Sequence, residues 1–370
     1  MASLKKVKTG VIGCGNISNA YFDGMKKFEI LDVAACSDLD LDRAKASAAK
    51  FGIARACSVA ELLADPAIEL VVNLTVPKAH APVNLDVINA GKSVHVEKPW
   101  ALDRAQGKQV LDAAAAKKVL CGAAPDTFFG DGIQTGRKLL DDGCIGRPVA
   151  ATIFMVCPGH ESWHPSPEFY YEVGGGPLFD MGPYYLTALV NLLGPVKSVS
   201  ASARITHPTR TITSAPKYGK VVTVETPTHI AATLDFASGV VGTMIMSFDI
   251  PAHRLPLVEI YGDNGTLSVP DPNGFGGPVL LKTRAMNDFV AMRATHGNGN
   301  FSRGVGPADM AYAIRTGRPH RASGALAYHV LDIMQSTLES SEQGRRIDLT
   351  SSCARPAPVP MTLPAGQLDE

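Results

Sequence analysis

A chain of 370 residues with 45% hydrophobic content is long enough for two ordinary domains with cores of their own. Thirty-five basic residues balance 35 acidic ones, so no net field gathers nucleic acid or an anionic membrane, and small neutral ligands suit the chain better. Seven cysteines, at 14, 36, 57, 121, 144, 157 and 353, form no Cys-x-x-Cys pair and are odd in number, which argues against a disulfide framework and against a cysteine-built zinc site. They read as small buried hydrophobes.

The N-terminus runs into a strand with no apolar stretch long enough for a signal peptide, and no later segment is long enough to span a bilayer, so a cytoplasmic protein is expected. Lys8 to Ile12 reads as the first strand, followed by Gly13-Cys14-Gly15-Asn16-Ile17-Ser18 and a helical pattern through Phe28. A glycine-rich turn between strand and helix lets the backbone approach a pyrophosphate and aims a helix N-terminus at its charge. Ser18 stands where a third glycine is usual. The strand-turn-helix context favours a dinucleotide site, with Gly13, Gly15, Asn16 and Ile17 as its contacts, over a plain tight turn. Leu31 to Cys36 is the next strand and ends at Ser37-Asp38. An acidic side chain there accepts hydrogen bonds from the adenosine ribose and repels a 2′-phosphate, which favours NAD over NADP. Asp38 or Asp40 also suits the cap of the helix through Phe51, a compatible role, and Arg43 is within sequence reach of a phosphate.

Alternation continues with Glu69 to Leu74 as strand, His80 to Ala90 as helix, Ser93 to Val96 as strand, Asp103 to Ala116 as helix and Lys118 to Cys121 as strand. Such alternation demands right-handed crossovers and a parallel sheet. Thr75-Val76-Pro77 lies at a strand's carboxyl end, where Thr75, Pro77 and His80 would border a nicotinamide; His80 equally suits a helix start with its ring satisfied. The strand at Val94-His95-Val96 ends in Glu97-Lys98-Pro99, which puts a carboxylate and an ammonium where open α/β sheets bind their ligands. The bond before Pro99 is of the kind for which a cis peptide is cheap, so a sharp redirection of Lys98 is allowed. An exposed lysine after a strand is the plain alternative.

After Gly122 the pattern changes. Ala123 to Phe129, with Asp126 as a substrate-binding candidate, leads into a helix through Leu140, and Pro148 to Cys157 is a strand. Thr228 to Phe236 and Val240 to Phe248 around Ala237-Ser238-Gly239 read as one hairpin; Leu257 to Tyr261 and Thr266 to Val269 around Asp263-Asn264-Gly265 read as another. Hairpins mean antiparallel pairing, so a largely antiparallel sheet with helices on one face is expected. Its exposed face is a natural contact for a homodimer or homotetramer.

His160-Glu161-Ser162-Trp163-His164 matches the His-Glu-x-x-His zinc-protease pattern. Zinc proteases need both histidines on one helical face, and Pro158-Gly159 before the motif and Pro165-Ser166-Pro167 after it leave no room for a stable helix. No metal site is expected. A loop that carries His160, Trp163 and His164 over a substrate fits better, the histidines bonding hydroxyls and Trp163 covering the apolar face of a ring; a structural loop is the alternative. Gly174-Gly175-Gly176-Pro177 opens a helix that stops at Gly194-Pro195, and on it Asp180 and Tyr184 are four apart and share a face. His296 to Gly304 is a polar, glycine-rich loop that either edges the site or only connects. On the Gly324–Gly344 helix, His329 accompanies a packing face of Leu326, Val330, Ile333, Met334 and Leu338 and reads as structural.

Gly13-Cys14-Gly15-Asn16, Thr75-Val76-Pro77-Lys78-Ala79-His80 and Glu97-Lys98-Pro99, in this order, resemble the glucose-fructose oxidoreductase and inositol dehydrogenase family, often written Gfo/Idh/MocA, and the resemblance covers nearly the whole chain. It implies an α/β chain: an N-terminal Rossmann dinucleotide-binding domain over 1–124 and a C-terminal α+β domain with a large, mainly antiparallel sheet over 125–350. The proline-rich tail over 351–370 is then extended, either loose or lying along a neighbouring subunit. It also implies a nicotinamide cofactor, with Glu97 and Lys98 at its side, and oxidation or reduction of a sugar or cyclitol. In such enzymes the lysine is catalytic or orienting, which carries over to Lys98. The family pattern has an aspartate followed four residues later by histidine, a proton-transfer residue; here the fourth residue is Tyr184. A tyrosine either exchanges the substrate's proton, if a nearby ammonium lowers its pKa, or holds the substrate while Lys98 acts. The resulting expectation is an NAD-dependent dehydrogenase of a secondary hydroxyl, with Lys98 as base or in relay with Tyr184 and Asp180 orienting the hydroxyl or the lysine. Its rivals are an NAD-dependent glycosidase or lyase that works through transient oxidation and retains its cofactor, and a nonenzymatic cofactor-sensing protein.

Overall fold

The computed structural model describes residues 4–297, 301–361, 363 and 366–369. Residues 298–300 of the glycine-rich loop after His296 lie outside the described residues. By contact the chain divides into two compact units. The first takes in residues up to Gln134, Ala294–Leu331 and the stretch from Pro356; the second takes in Thr135–Arg293 and Asp332–Arg355. Sequence patterning places one boundary near residue 124. The chain in fact returns to its first unit twice, through contacts between residues far apart in sequence.

The first unit is built on a parallel sheet. Its elements are β1 (Val7–Ile12), α1 (Ser18–Met25), β2 (Leu31–Ser37), α2 (Leu41–Phe51), β3 (Arg55–Ala56) and α3 (Val59–Ala64). They continue with β4 (Leu70–Asn73), α4 (Pro77–Asn89), β5 (Ser93–Val96), α5 (Arg104–Lys117) and β6 (Cys121–Ala123). The strand order is β3-β2-β1-β4-β5-β6, and every pairing is parallel. All four residues of β4 and all four of β5 are buried, the pattern of strands covered on both faces. The chain leaves β1 first toward β2 and later crosses to β4, so the order reverses at β1, and the crevice above the carboxyl ends of β1 and β4 is the switch point at which such sheets bind ligands. Local signals set the helices: Asp40 caps α2, Ser58 and Glu61 form a capping box on α3, and Asp103 caps α5. Helix α4 begins at Pro77 rather than His80, because proline suits a first turn where its missing N–H costs nothing.

The second unit continues from α6 (Asp131–Asp141) through β7 (Pro148–Val156), α7 (Gly176–Asp180) and α8 (Gly182–Leu193). Strands β8 (Val196–Arg204), β9 (Thr209–Thr211), β10 (Val221–Thr223), β11 (His229–Phe236) and β12 (Val241–Ser247) follow. Then come β13 (Val258–Gly262), β14 (Gly265–Val269), β15 (Val279–Thr283) and β16 (Val290–Met292). After α9 (Val305–Thr316) and α10 (Gly324–Gln343), β17 (Ile347–Asp348) closes the list of elements. Nine strands form one sheet in the order β16-β15-β14-β13-β7-β12-β11-β8-β17, antiparallel everywhere except between β7 and β12. Both expected hairpins are present, as β11 with β12 and β13 with β14. Positions along β11 alternate between buried and partly exposed, so one face of the sheet is core, and α8 is buried at all twelve positions.

One helix expected between Gly176 and Leu193 is two. Asp180 ends α7, Met181 is the joint, and Tyr184 lies in the first turn of α8. The cause is Gly182-Pro183: proline has no N–H to donate to the preceding turn, and its ring crowds the carbonyl four residues back. Asp180 and Tyr184 therefore do not stack on one continuous helical face.

Helix α9 belongs to the first unit, where it packs against α1 and against β4, β5 and β6. The tail does too. The Val359 amide donates to Gln134 Oε1 at 2.9 Å, its carbonyl accepts from His296 Nε2 at 2.9 Å, Leu368 is buried, and Asp369 takes Arg318 Nε at 2.6 Å. These bonds pin the described part of the tail to its own chain. Among the described residues no helix is long and apolar enough to cross a membrane.

Candidate active site

The Gly13–Ser18 turn is built from backbone outward. Gly13 has φ +99°, and a Cβ there would stand 2.7 Å from the carbonyl carbon and oxygen of Leu74, so conformation and close approach both demand glycine. A Cβ on Gly15 would meet nothing within 4 Å. The Ser18 hydroxyl donates to the Gly15 carbonyl at 2.6 Å, so the serine closes the turn that a third glycine would leave open. Helix α1 starts with no side-chain cap and no acidic residue in its first turn, which leaves its amide dipoles suited to an anion. The turn can hold a pyrophosphate. Asn16 and Ile17, at the helix entry, are both exposed. We expect Gly13→Ala to cost about 1–3 kcal/mol of stability and to abolish NAD binding, whereas Gly15→Ala should leave the melting transition in place and weaken NAD alone. Thermal unfolding paired with calorimetric NAD titration separates the two.

Asp38 is not the helix cap; Asp40 is, accepting from the Asp42 and Arg43 amides. Asp38 Oδ2 accepts from the Cys14 amide at 2.8 Å, and Oδ1 accepts from the Asp40 amide at 2.9 Å and lies 3.4 Å from Arg43 Nη1. It thus ties the end of β2 to the glycine turn, the place from which a ribose would be read.

At the ends of β4 and β5 the candidates form one hydrogen-bonded set. Asn73 Oδ1 accepts from the amide and hydroxyl of Thr75 at 3.1 and 2.7 Å. His80 is buried, with Nδ1 at 2.7 Å from the Pro99 carbonyl and Nε2 at 3.0 Å from the Thr75 carbonyl. Burial pushes its pKa down, with those two carbonyls pulling the other way; the neutral ring donates to one of the two carbonyls, and both of its nitrogens face backbone rather than open space. Glu97 is buried: Oε1 accepts from the Tyr21 hydroxyl at 2.8 Å and Oε2 accepts from the Lys98 amide at 2.9 Å. Lys98 is half-buried, and the Lys98–Pro99 peptide is cis. Pro77 is exposed at the start of α4. Asp126, the substrate-binding candidate, stands in this first unit with no exposed surface. Its Oδ2 accepts from the Gly304 and Gly306 amides, both at 3.1 Å, and Arg303 Nη1 lies 3.7 Å from Oδ1. Burial raises its pKa and Arg303 pulls it back.

In the second unit, the His-Glu-x-x-His segment is a turn, with the Trp163 and His164 amides both donating to the His160 carbonyl. Both of its histidines pack against the Tyr170 ring, but their nitrogens face different groups. The His160 ring lies 4.1 Å from that of Tyr170 and 4.5 Å from that of Phe248, and its Nε2 is 3.9 Å from Asp180 Oδ2. His164 Nδ1 accepts from the Ser166 amide at 3.0 Å, and its ring edges onto Phe169 and Tyr170 at 5.4 Å. Trp163 is 59% exposed. Tyr184 is buried and Asp180 half-buried. Among the described residues, no group of three or more His, Cys, Asp or Glu side chains is placed to hold a metal ion.

The residue that fixes this loop was invisible in sequence. Arg210 donates to Glu161 Oε1 at 3.0 Å and to the Phe248 carbonyl at 3.2 Å, pairs with Asp249, and lies over the Tyr171 ring. It acts across 49 residues, and no local pattern announces it. Tyr21 was missed likewise, being an ordinary aromatic on the packing side of α1.

Two family models match the chain: an oxidoreductase family with an NAD-binding Rossmann fold over residues 7–124, and the GFO/IDH/MocA C-terminal domain over 133–268. The chain is 29% identical to 1,5-anhydro-D-fructose reductase of Ensifer adhaerens over 46% of its own length and 52% of that protein, so the match spans about half of that relative. It is 24% identical to myo-inositol 2-dehydrogenase of Thermotoga maritima over 70% of this chain and 74% of that one. Levoglucosan dehydrogenase, solved in complex with NADH and L-sorbose, superposes with a TM-score of 0.81 at 19% identity, covering 94% of this chain and 100% of the other; that likeness concerns the fold.

Proposed function

The chain belongs to the Gfo/Idh/MocA oxidoreductase family, and from that premise we propose an NAD-dependent dehydrogenase that oxidises a secondary hydroxyl of a sugar or cyclitol. The observation that carries the reading is the place of Lys98. It stands half-buried at the carboxyl end of β5, with its amide held by Glu97, in the unit whose Gly13–Ser18 turn and uncapped α1 fit a dinucleotide. The relatives named above for an anhydrofructose, an inositol and levoglucosan support the substrate class.

When bound, the nicotinamide takes a hydride from the substrate carbon. The chain's own residues must then take the hydroxyl proton and hold the hydroxyl in line. Lys98 in its neutral form accepts that proton. Asp180 and Tyr184 stand where the family pattern has an aspartate and a histidine; in this reading Asp180 orients and Tyr184, in place of the histidine, either passes the proton or holds the substrate, and His160, Trp163 and His164 bind the ring. We read the cofactor as NAD because Asp38, at the end of β2, is a carboxylate where NADP would need room for a phosphate. Asp38→Ser should shift the ratio of kcat/KM for NADP over NAD upward by about tenfold or more, and an unmoved ratio would count against that placement. We also propose a homodimer or homotetramer through the open face of the nine-stranded sheet, which sedimentation tests.

The test of the function is nicotinamide absorbance with purified protein, NAD or NADP, and a panel of sugars, inositols and aldonic derivatives. Sustained formation of NADH with one of them is the expected result. Silence across the panel together with tightly co-purified cofactor would replace the dehydrogenase by an enzyme that oxidises and re-reduces within one cycle.

A further inference from the structure

We infer that Tyr21 is a positioning residue for Lys98, acting through Glu97 from the helix that opens the dinucleotide turn. Tyr21 lies on α1, three residues after Ser18, and is fully buried. Its hydroxyl donates to one oxygen of Glu97 at 2.8 Å, and the other oxygen of the same carboxylate accepts from the Lys98 amide at 2.9 Å. One carboxylate is therefore held at one end by α1 and at the other holds the peptide that places the lysine. On the far side of that peptide, His80 of α4 reaches the Pro99 carbonyl at 2.7 Å. The main chain at Lys98 and Pro99 is gripped from both sides, and each grip comes from a helix whose first turn follows a turn at the sheet's switch point.

The chemistry of the set points to placement rather than filling. A buried carboxylate is tolerated only when its oxygens are bonded, and an apolar side chain of like volume would fill the same space without that demand. Glu97 spends both oxygens, one of them on the amide of its neighbour. Asp126, itself fully buried and held by the Gly304 and Gly306 amides, adds a second carboxylate close enough for its charge to be felt at Tyr21. Burial first, then the charges of Glu97 and Asp126, raise the Tyr21 pKa well above its ordinary value, so the phenol stays a fixed donor at any working pH. Cofactor contact at the turn and placement of the lysine thus share one hydrogen-bonded path.

The kinetic part of the test rests on the dehydrogenase reading; a second part does not. Tyr21→Phe removes only the hydroxyl. Its NAD dissociation constant and substrate KM should stay within about twofold of the parent while kcat falls about tenfold, because a displaced lysine loses the transition state and not the ground state. Glu97→Gln should do the same, and the double variant should be no slower than the slower single one, since both cut the same path. Independently of turnover, the rate at which acetic anhydride labels Lys98 in the NAD complex, read by mass spectrometry, should differ between parent and Tyr21→Phe. An unchanged kcat with unchanged labelling overturns the inference. So do losses that multiply in the double variant, or a loss of NAD affinity with kcat intact, which would make Tyr21 a support of the turn only. A parent protein that turns over no substrate would remove the dehydrogenase reading and leave the labelling result to decide Tyr21.

Discussion

Lys98→Met is expected to lower kcat by about 10²–10⁴-fold while NAD binding stays within a few-fold of the parent. Methionine keeps most of the length and the apolar stem and removes the ammonium. The backbone at this position does not depend on that side chain: β5 is fixed by parallel pairing with β4 and β6, and the amide of residue 98 is held by Glu97 whatever side chain it carries. The proposed dinucleotide contacts are instead the Gly13–Ser18 turn and Asp38, which the substitution does not touch. A proton acceptor lost at the reacting hydroxyl shows as a fall in kcat with little change in binding, and the two are separable by steady-state rates and calorimetric titration. Near-normal turnover in Lys98→Met would move the proton to another residue, and Tyr184 would be the next to replace.

The half of the molecule that handles the cofactor was legible because its signals are local. Strands buried on both faces read as short apolar runs, and glycine, proline and acidic residues mark their carboxyl ends, so Gly13, Asp38, Thr75 and Lys98 all fall at strand ends in the structure as in the sequence. What the sequence hid is carried by pairs far apart in the chain. Asp126 reads in sequence as a substrate-binding candidate; its amide donors lie 178 and 180 residues away, at the start of α9. Arg210 holds the loop of His160 and His164 through Glu161 and Asp249, and no window of sequence contains all three. The broken helix is a different kind of miss. Gly182-Pro183 marks the break in the sequence itself, and the four-residue spacing of Asp180 and Tyr184 points the other way.

Asp309→Ala is expected to cost about 3–5 kcal/mol of unfolding free energy, the largest stability effect of any single change proposed for this chain. Asp309 sits on α9 with its carboxylate buried. It takes Arg318 Nη2 at 2.8 Å, Arg321 Nη1 at 2.5 Å and the Arg321 amide at 2.5 Å. Removing it leaves two guanidiniums facing each other with Asp369 of the tail as the remaining carboxylate, at 2.6 Å from Arg318 and 3.7 Å from Arg321. An uncompensated buried charge costs more than the pair contributed, which is why the loss exceeds that of a surface ion pair. Against a typical net stability of about 5–15 kcal/mol it would leave a marginal fold. Urea unfolding should show a lower midpoint at an unchanged slope, and a shift worth less than about 1 kcal/mol would mean that the arginines find other partners. Asp309→Asn should lose less, since an amide oxygen still accepts from the Arg321 backbone. The consequence reaches the cofactor side of the molecule, because the start of the same helix supplies the Gly304 and Gly306 amides that hold Asp126. A loosened α9 frees a carboxylate whose charge is felt at Tyr21, so Asp309→Ala should lower kcat as Tyr21→Phe does, and bound NAD should raise the lowered midpoint of the variant as it raises that of the parent.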